Sequence, residues 1–433
     1  MRPDMSEVAV EQLKFLATDD VRTVAEEFGT PVFVYDEATV RASSKTMSTL
    51  PNAFGLTVRY SLKACPGQAI IRLFDREGFS FDASSVWEAR RAVLAGVEPG
   101  RISMTAQEAV FDENLRDLID QGLQFDAGSL HQLEEYGRAY PGGAVAIRIN
   151  PGFGSGLVGR LNSGGPQSSF GIWHEQLPEV KQIVEQYGLR LVRLQSHIGS
   201  GHHWDILVDA VRTMLSFARD FQDVHTLDLG GGYRVSALQS DPVYDHTEWA
   251  RVVADELKQF AEETGRRLHT EVEPGTYLTA LAGSLVTKVI DKADTGAEGN
   301  SFLKINSGLT EIARPSYYGV QHPIVSVPAT GGAERAADDR EEFNVVGHCC
   351  IAGDVLTAKQ EELAPVPLGR TEIGDYVVIE RAGSYCSSMS MKNFNSYPEA
   401  AEVLRRTDGS FDLIRSRQSI EQVIVNERIP EGL

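Results

Sequence analysis

The 433-residue chain is poor in cysteine and has no surplus of positive charge. Its four cysteines are Cys65, Cys349, Cys350 and Cys386, and their number and spacing suit neither a disulfide framework nor a zinc site. Free thiols in a reducing compartment are expected, and no metal. Lys+Arg 41 against Asp+Glu 61 gives 41 − 61 = −20, which argues against nucleic acid or an anionic membrane surface as partner. A small anionic ligand stays open, because a local basic or backbone site is enough to hold one. No apolar run is long enough to span a membrane, and the first residues lack the charged-then-apolar layout of a signal peptide. A cytoplasmic location is therefore expected. Repeats of the solenoid type are absent as well.

A chain of this length exceeds one ordinary core and suggests two domains. From Leu56 onward, runs of strand character alternate with helical periodicity. The strand candidates are Val58–Lys63, Phe79–Ala83, Arg101–Ala106, Gln124–Ala127, Ala144–Asn150, Leu191–His197, Thr226–Leu229 and Leu268–Glu273. Helical patterns such as Gly67–Glu77, Val86–Ala95, His131–Tyr140, Glu179–Tyr187, Asp205–Phe221 and Trp249–Thr264 separate them. Eight such units predict a TIM-like (β/α)8 barrel over residues 36–278. An open doubly wound sheet would want a nucleotide-binding glycine motif after its first strand, and none is there. After Pro274 the runs are short and β-rich: Ser284–Ile290, Phe302–Asn306, Glu342–Val346, Tyr376–Glu380 and Phe411–Ile414. Residues 279–433, joined by 1–35 with their short strand Pro31–Tyr35, are expected to form a mostly antiparallel β domain. The polar stretch Pro328–Glu341 reads as an exposed loop. The fold class is α/β plus β.

Chemistry collects at the C-terminal ends of the barrel strands, the end that carries the active site in such barrels. The first strand runs into Lys63, between apolar neighbours and Pro66. Desolvation there favours a neutral amine able to form a Schiff base with an aldehyde, against the plainer reading of a surface lysine. The second strand ends at Asp82. The sixth ends in His197-Ile198-Gly199-Ser200-Gly201, where the histidine is either a core residue or faces a ligand. The seventh ends in Gly230-Gly231-Gly232, a tight turn or a set of amides converging on an anion. The eighth ends in Glu273-Pro274-Gly275, and a carboxylate at the end of an apolar strand wants a partner. A Schiff-base lysine, an anion cradle, an imidazole and a buried carboxylate around one mouth describe a pyridoxal phosphate site. Glu273 would keep the pyridine nitrogen protonated.

These residues stand in motifs that continue along the chain: Arg148-Ile149-Asn150-Pro151-Gly152, Ser169-Phe170-Gly171-Ile172-Trp173, Arg314-Pro315-Ser316-Tyr317-Tyr318-Gly319, Cys350-Ile351-Ala352-Gly353-Asp354, Gly383-Ser384-Tyr385-Cys386-Ser387-Ser388-Met389 and Asn393-Phe394-Asn395. In this the chain resembles the fold-type III pyridoxal phosphate decarboxylases (the alanine racemase/decarboxylase fold), most closely the diaminopimelate decarboxylase family. The resemblance implies that Lys63 carries the cofactor and His197 stacks on its ring. It further implies that Ser200, Gly232, Gly275 and Tyr385 hold the phosphate and that Asp82 lies near the lysine, with Gly231 of the triple-glycine turn also expected to bind the cofactor. It implies a homodimer with shared sites, in which Cys350 of one copy handles a proton at the substrate Cα in the other. Arg314, Tyr318 and Tyr385 would line the substrate pocket beside Thr276 and Ile351. The reaction implied is loss of CO2 from the Cα of meso-diaminopimelate, giving L-lysine, a step of lysine biosynthesis.

Two positions depart from the family pattern. Thr276 stands where an arginine usually follows Glu-Pro-Gly, and Ile351 where an acidic residue usually follows the cysteine. A bidentate arginine and a charged acceptor are worth roughly 2–5 kcal/mol each in a desolvated site, and threonine and isoleucine replace neither. A second expectation is therefore a decarboxylase for an amino acid lacking the distal amine, or linked to an amide or a carrier. Two rivals of other kinds are an amino-acid racemase, against which the Cys350 loop speaks, and a catalytically silent cofactor-binding homologue, against which Lys63 and Cys350 speak.

Overall fold

A computed structural model of the chain describes residues 10–156, 162–199, 204–330, 340–359 and 362–433. They fall into two compact units, one of residues 41–235 and 243–278, the other of the residues up to 40, 236–242 and 279 onward.

In the first unit eight parallel strands close into a barrel: β1 (Leu56–Ser61), β2 (Ser80–Ala83), β3 (Ile102–Thr105), β4 (Gln124–Ala127), β5 (Ala144–Asn150), β6 (Arg190–Gln195), β7 (Thr226–Asp228) and β8 (His269–Val272). Each pairs with the next, and β8 returns to β1. The short strand Ile172–Trp173 adds to β5. Alternation along β1 decides which residue faces what. Tyr60 points outward and stacks on Phe74 of the helix Gln68–Arg76, ring centroids 4.1 Å apart. That helix turns Ile70, Ile71, Leu73 and Phe74 into the core. Arg59, one residue earlier, points inward and reaches across the barrel to Gln124 Oε1 at 2.8 Å.

The barrel interior is polar. Arg59 makes a fork to Glu271 at 2.7 and 2.8 Å, and Arg193 reaches Glu271 at 2.9 Å and Asp126 at 2.5 Å. Each charge has an opposite partner, which offsets its removal from water. Capping fixes where the outer helices begin: Ser85 starts Val86–Leu94, Asp112 starts Glu113–Asp120 and Ser129 starts Leu130–Ala139, each side chain accepting from a backbone N–H one turn on.

Two of the longer helices, Glu37–Ser48 and Glu113–Asp120, lie outside the sequence expectations. Glu37–Ser48 carries five Ser and Thr residues, which blur its apolar period, whereas Glu113–Asp120 is short but amphipathic, burying Leu115 and Leu118 on one face.

The second unit is built on a nine-stranded sheet. Along it run Val366–Gly369, Arg340–Val346, Ser301–Ile305, Gly283–Asp294, Val32–Asp36, Ala401–Arg405 and Phe411–Arg415, with Tyr376–Ile379 joining Gly283–Asp294 to Ile324–Val327. Two pairings are parallel, Val32–Asp36 with Ala401–Arg405 and Ser301–Ile305 with Arg340–Val346, and the rest are antiparallel. Val21 and Val24 of the helix Thr18–Phe28 pack on Val32, Val34, Val286, Val378 and Val403 as one core. Ile324–Val327, Val366–Gly369 and Ala401–Arg405 are strands the sequence reading passed over, each too short to show a period by itself. Of the expected loop Pro328–Glu341, residues 331–339 lie outside the described residues. Among those described, no helix is long and apolar enough to cross a membrane.

Candidate active site

Lys63 lies just past β1, in the one-turn 3-10 helix Leu62–Ala64, rather than on the strand itself. Its Nζ donates to Ser61 Oγ at 2.7 Å and to Asp82 Oδ2 at 2.8 Å, and Ser61 Oγ donates to the same Oδ2 at 2.8 Å. Register makes this triangle, because Ser61 on β1 pairs with Asp82 on β2. The lysine is less desolvated than expected. Its side chain is 41% exposed and ion-paired, while Asp82 is 2% exposed. Burial pushes the Asp82 carboxyl up, but the charge and hydrogen bond of Lys63 outweigh that and hold it below the usual range.

The turns after β6, β7 and β8 are stitched together by backbone amides. Gly230 N–H donates to Asp228 Oδ1 at 3.0 Å, and Glu273 N–H to Gly230 O at 2.8 Å. Gly231 N–H donates to His197 Nδ1 at 3.2 Å, so the neutral ring carries its proton on Nε2. Burial, with Arg148 and Lys63 nearby, holds that imidazole down to about 3. A Cβ on residue 231 would stand 2.7 Å from Glu273 O, so only glycine lets the two turns approach. The Gly231 amide, expected as an anion donor, is committed to His197 instead. Gly232, at φ 105°, continues the turn.

Glu273 is buried, at 5% exposure. Gln195 Nε2 donates to its Oε2 at 3.0 Å, and its Oε1 is buried with no hydrogen-bond partner among the described residues. Burial and the neighbouring Asp228 and Asp82 raise its carboxyl well above the usual range, against the pull of Lys63 and Arg148. An orphaned buried carboxyl oxygen calls for a donor, and the protonated ring nitrogen of a pyridine is one. With the exposed amine of Lys63 and the half-buried His197 ring, the residues present fit pyridoxal phosphate.

Gly275 and Thr276 follow β8, and Thr276 opens the short helix Thr276–Thr279. Ser200 lies outside the described residues. Four residues of this neighbourhood were given no role from sequence: Ser61, Gln195, Asp228 and Arg148. The Arg148 guanidinium sits 4.7 Å from the Phe170 ring centroid, and its Nη2 reaches His197 O at 3.4 Å. A lone charge in the apolar run Ala144–Asn150 was its signal.

The remaining expected site residues belong to the β unit. Arg314 and Tyr318 share the short helix Arg314–Tyr318. The buried Arg314 guanidinium lies 5.5 Å from the Tyr385 ring centroid and donates to Ser384 O at 3.5 Å. Tyr385 itself sits at φ 55°, a conformation rare for a bulky residue. Cys350 and Ile351 are in the turn after Arg340–Val346. Cys350 is exposed whereas Cys65, Cys349 and Cys386 are buried, and Ile351 is 49% exposed.

Residues 38–280 match the family model of the pyridoxal binding domain of pyridoxal-dependent decarboxylases. The chain is 37% identical to a diaminopimelate decarboxylase of Streptomyces coelicolor over 413 residues, 94% of this chain and 91% of that enzyme. It is 32% identical to the diaminopimelate decarboxylase of Escherichia coli K12 over 418 residues, 95% of this chain and 97% of that enzyme. A crystal structure of a diaminopimelate decarboxylase matches with a TM-score of 0.88 at 32% identity, over 95% of this chain and 97% of the other. A lysine/ornithine decarboxylase of Vibrio vulnificus, solved with putrescine, shares the fold at a TM-score of 0.74 and 21% identity, over 90% of this chain and 99% of the other. The chain belongs to the pyridoxal-dependent decarboxylases, as a member of the diaminopimelate decarboxylase family.

Proposed function

We propose that this chain releases CO2 from the Cα of meso-diaminopimelate, leaving L-lysine, with pyridoxal phosphate attached at Lys63. The observation that carries it is the gathering of Lys63, Asp82, His197 and the half-satisfied Glu273 at the C-terminal ends of one barrel. Pyridoxal phosphate, when bound, supplies the sink for the electrons of the bond broken at Cα. Ser61 and Asp82 hold the Lys63 amine in place and share its protons. Glu273 Oε1 would accept from the pyridine N–H, and the neutral ring of His197 would offer a flat face to the cofactor. Gly232, Gly275, Ser200 and Tyr385 would hold the phosphate. Cys350 Sγ gives Cα the proton that replaces the carboxylate. Arg314 and Tyr318 receive the distal carboxylate of the substrate.

The enzyme works as a cytoplasmic homodimer in which the Cys350 turn of one copy serves the other. The exposure of that thiol, alone among the four, supports this reading.

A second reading keeps the reaction and changes the substrate. Ile351 presents an exposed apolar side chain beside Cys350, where it offers no acceptor for a distal ammonium. That favours an amino acid whose far end is uncharged or amide-linked. CO2 release by the cofactor-loaded protein decides between the two, with meso-diaminopimelate assayed beside lysine, ornithine, glutamate and N-substituted amino acids. Fast turnover of meso-diaminopimelate establishes the first reading. Release from an N-substituted amino acid alone establishes the second, whereas release only from lysine, ornithine or glutamate, whose far ends are charged, or from none, sinks both.

A further inference from the structure

We infer that Asn395 is the positioning residue of Cys350, set in a clamp that grips the cysteine turn residue by residue. The motif Asn393-Phe394-Asn395 has no role in the site described above. Its surroundings give it one. Asn395 Oδ1 accepts from Cys350 N–H at 2.9 Å. Phe394 packs on the buried cluster of Leu309, Ala313 and Cys349. The Tyr397 ring lies flat on His348, centroids 3.7 Å apart and planes 8° apart, and its hydroxyl donates to His348 O at 3.3 Å. Three successive residues, His348, Cys349 and Cys350, are thus each held by one residue of a single segment.

The segment's backbone is unusual in the same place. Among the described residues five other than glycine have positive φ, and three are here: Asn393 at 60°, Asn395 at 52° and Ser396 at 61°. Asparagine visits this region more easily than other side chains, yet such conformations persist only where the surroundings over-determine them. The surroundings do so. Met391 N–H donates to Leu309 O at 2.9 Å, and Asn393 Nδ2 donates to Tyr397 O at 3.0 Å and to Gln418 Oε1 at 2.6 Å.

From the other side, buried Asp354 accepts from Cys349 N–H at 2.8 Å and from Leu309 N–H at 2.9 Å. A Cβ on residue 347 would stand 2.2 Å from that carboxylate, which leaves room for glycine alone. The outcome is an exposed thiol on a backbone bonded or packed at three successive residues. That suits a group which must meet one carbon atom at one place, since small displacements of a reacting group cost large factors in rate. The inference rests on the reading of Cys350 as proton donor.

The test uses the full-length, cofactor-loaded enzyme with Asn395→Gly, which removes the acceptor yet tolerates φ 52°, and Asn395→Asp, which keeps it. Asn395→Gly should lower kcat by about 10-fold or more with KM within about 2-fold, and Asn395→Asp should stay within about 3-fold of wild type. In a Cys350→Ser background Asn395→Gly should add no further loss, because the two residues act as one unit. Amide hydrogen exchange over residues 347–354 should speed up in Asn395→Gly and stay slow in Asn395→Asp. That readout needs no substrate. Should wild type release CO2 from no acid, the decarboxylase reading falls and the exchange measurement still decides the clamp. Unchanged exchange, or an equal loss of kcat in the Cys350→Ser background, would overturn it.

Discussion

Lys63 Nζ and Asp82 Oδ2 stand 2.8 Å apart, bridged by Ser61 Oγ, which bonds to both. The arrangement aims the lysine with two short polar contacts from neighbouring strands. Lys63→Ala should abolish the visible absorption of the lysine-bound cofactor and lower kcat on the order of 10³-fold or more. Asp82→Asn should keep the absorption and lower kcat about 10–100-fold, because an amide holds the amine but carries no charge. Titration supplies a second readout. The folded Asp82 is held below its unfolded value, so its contribution is present above that value and lost as pH falls through the folded one. The acid limb of the melting temperature should therefore be shallower in Asp82→Asn than in wild type.

Glu273 should show the opposite slope. Its carboxyl is raised by burial and by Asp228 and Asp82, so the folded protein without cofactor holds a proton that the unfolded chain releases. The stability this gives is full below the unfolded value of about 4.3 and is lost as pH rises through the folded one. Asp228, pushed up to about 7 by burial and by Glu271, adds a slope of the same sign, so the variant isolates the Glu273 share. Without cofactor, the melting temperature of Glu273→Gln should fall less between pH 5 and pH 8 than that of wild type. Cofactor should raise it less, and kcat should drop on the order of 100-fold. Equal melting curves across that range would mean Glu273 is ionised when the site is empty of cofactor.

Much of this was legible in the chain. The eight barrel strands follow from alternation between apolar runs and helical periods, and Asp82, His197 and Glu273 follow from standing at strand ends. Ser61 was not legible, because a serine on a strand says nothing until register sets it opposite Asp82. Gln195 is hidden for the same reason: it matters through Glu273, a partner distant in sequence. Asp228 bonds to Gly230 only two residues on, a local turn contact that its place in an apolar strand does not announce. Lys63 was expected between apolar walls, since its sequence neighbours are apolar, but the 3-10 turn buries Leu62 and Ala64 while the Lys63 amine bonds to Ser61 and Asp82. The clamp on the cysteine turn depends on left-handed asparagines, which no periodicity reveals.

His197 tests the amide stitching of the barrel mouth. His197→Phe keeps a flat ring and loses the acceptor for Gly231 N–H, whereas His197→Ala loses both. Cofactor affinity should therefore fall in the order wild type, His197→Phe, His197→Ala, with about 10-fold or more lost in the last. The ring is held down to about 3 in the folded state, so below about 6.5 the unfolded chain takes a proton that the folded protein refuses. Stability is lost as pH falls through that window. The melting temperature of His197→Phe should consequently drop less between pH 7 and pH 5 than that of wild type.

The shared-site homodimer is tested by mixing inactive proteins. Lys63→Ala lacks the cofactor lysine and Cys350→Ala the proton donor, and each homodimer should be inactive. When the two are unfolded together and refolded, half the dimers carry one of each chain. In such a dimer one site combines both lesions and the other has neither. A two-fold dimer therefore recovers roughly a quarter of wild-type activity from an equal mixture. If Lys63 and Cys350 instead serve the same site within one copy, no mixture contains an intact site and no activity returns. Recovery near a quarter, with hybrid dimers visible by native mass spectrometry, establishes sharing between copies. Hybrid dimers without recovery would place Cys350 with the lysine of its own chain.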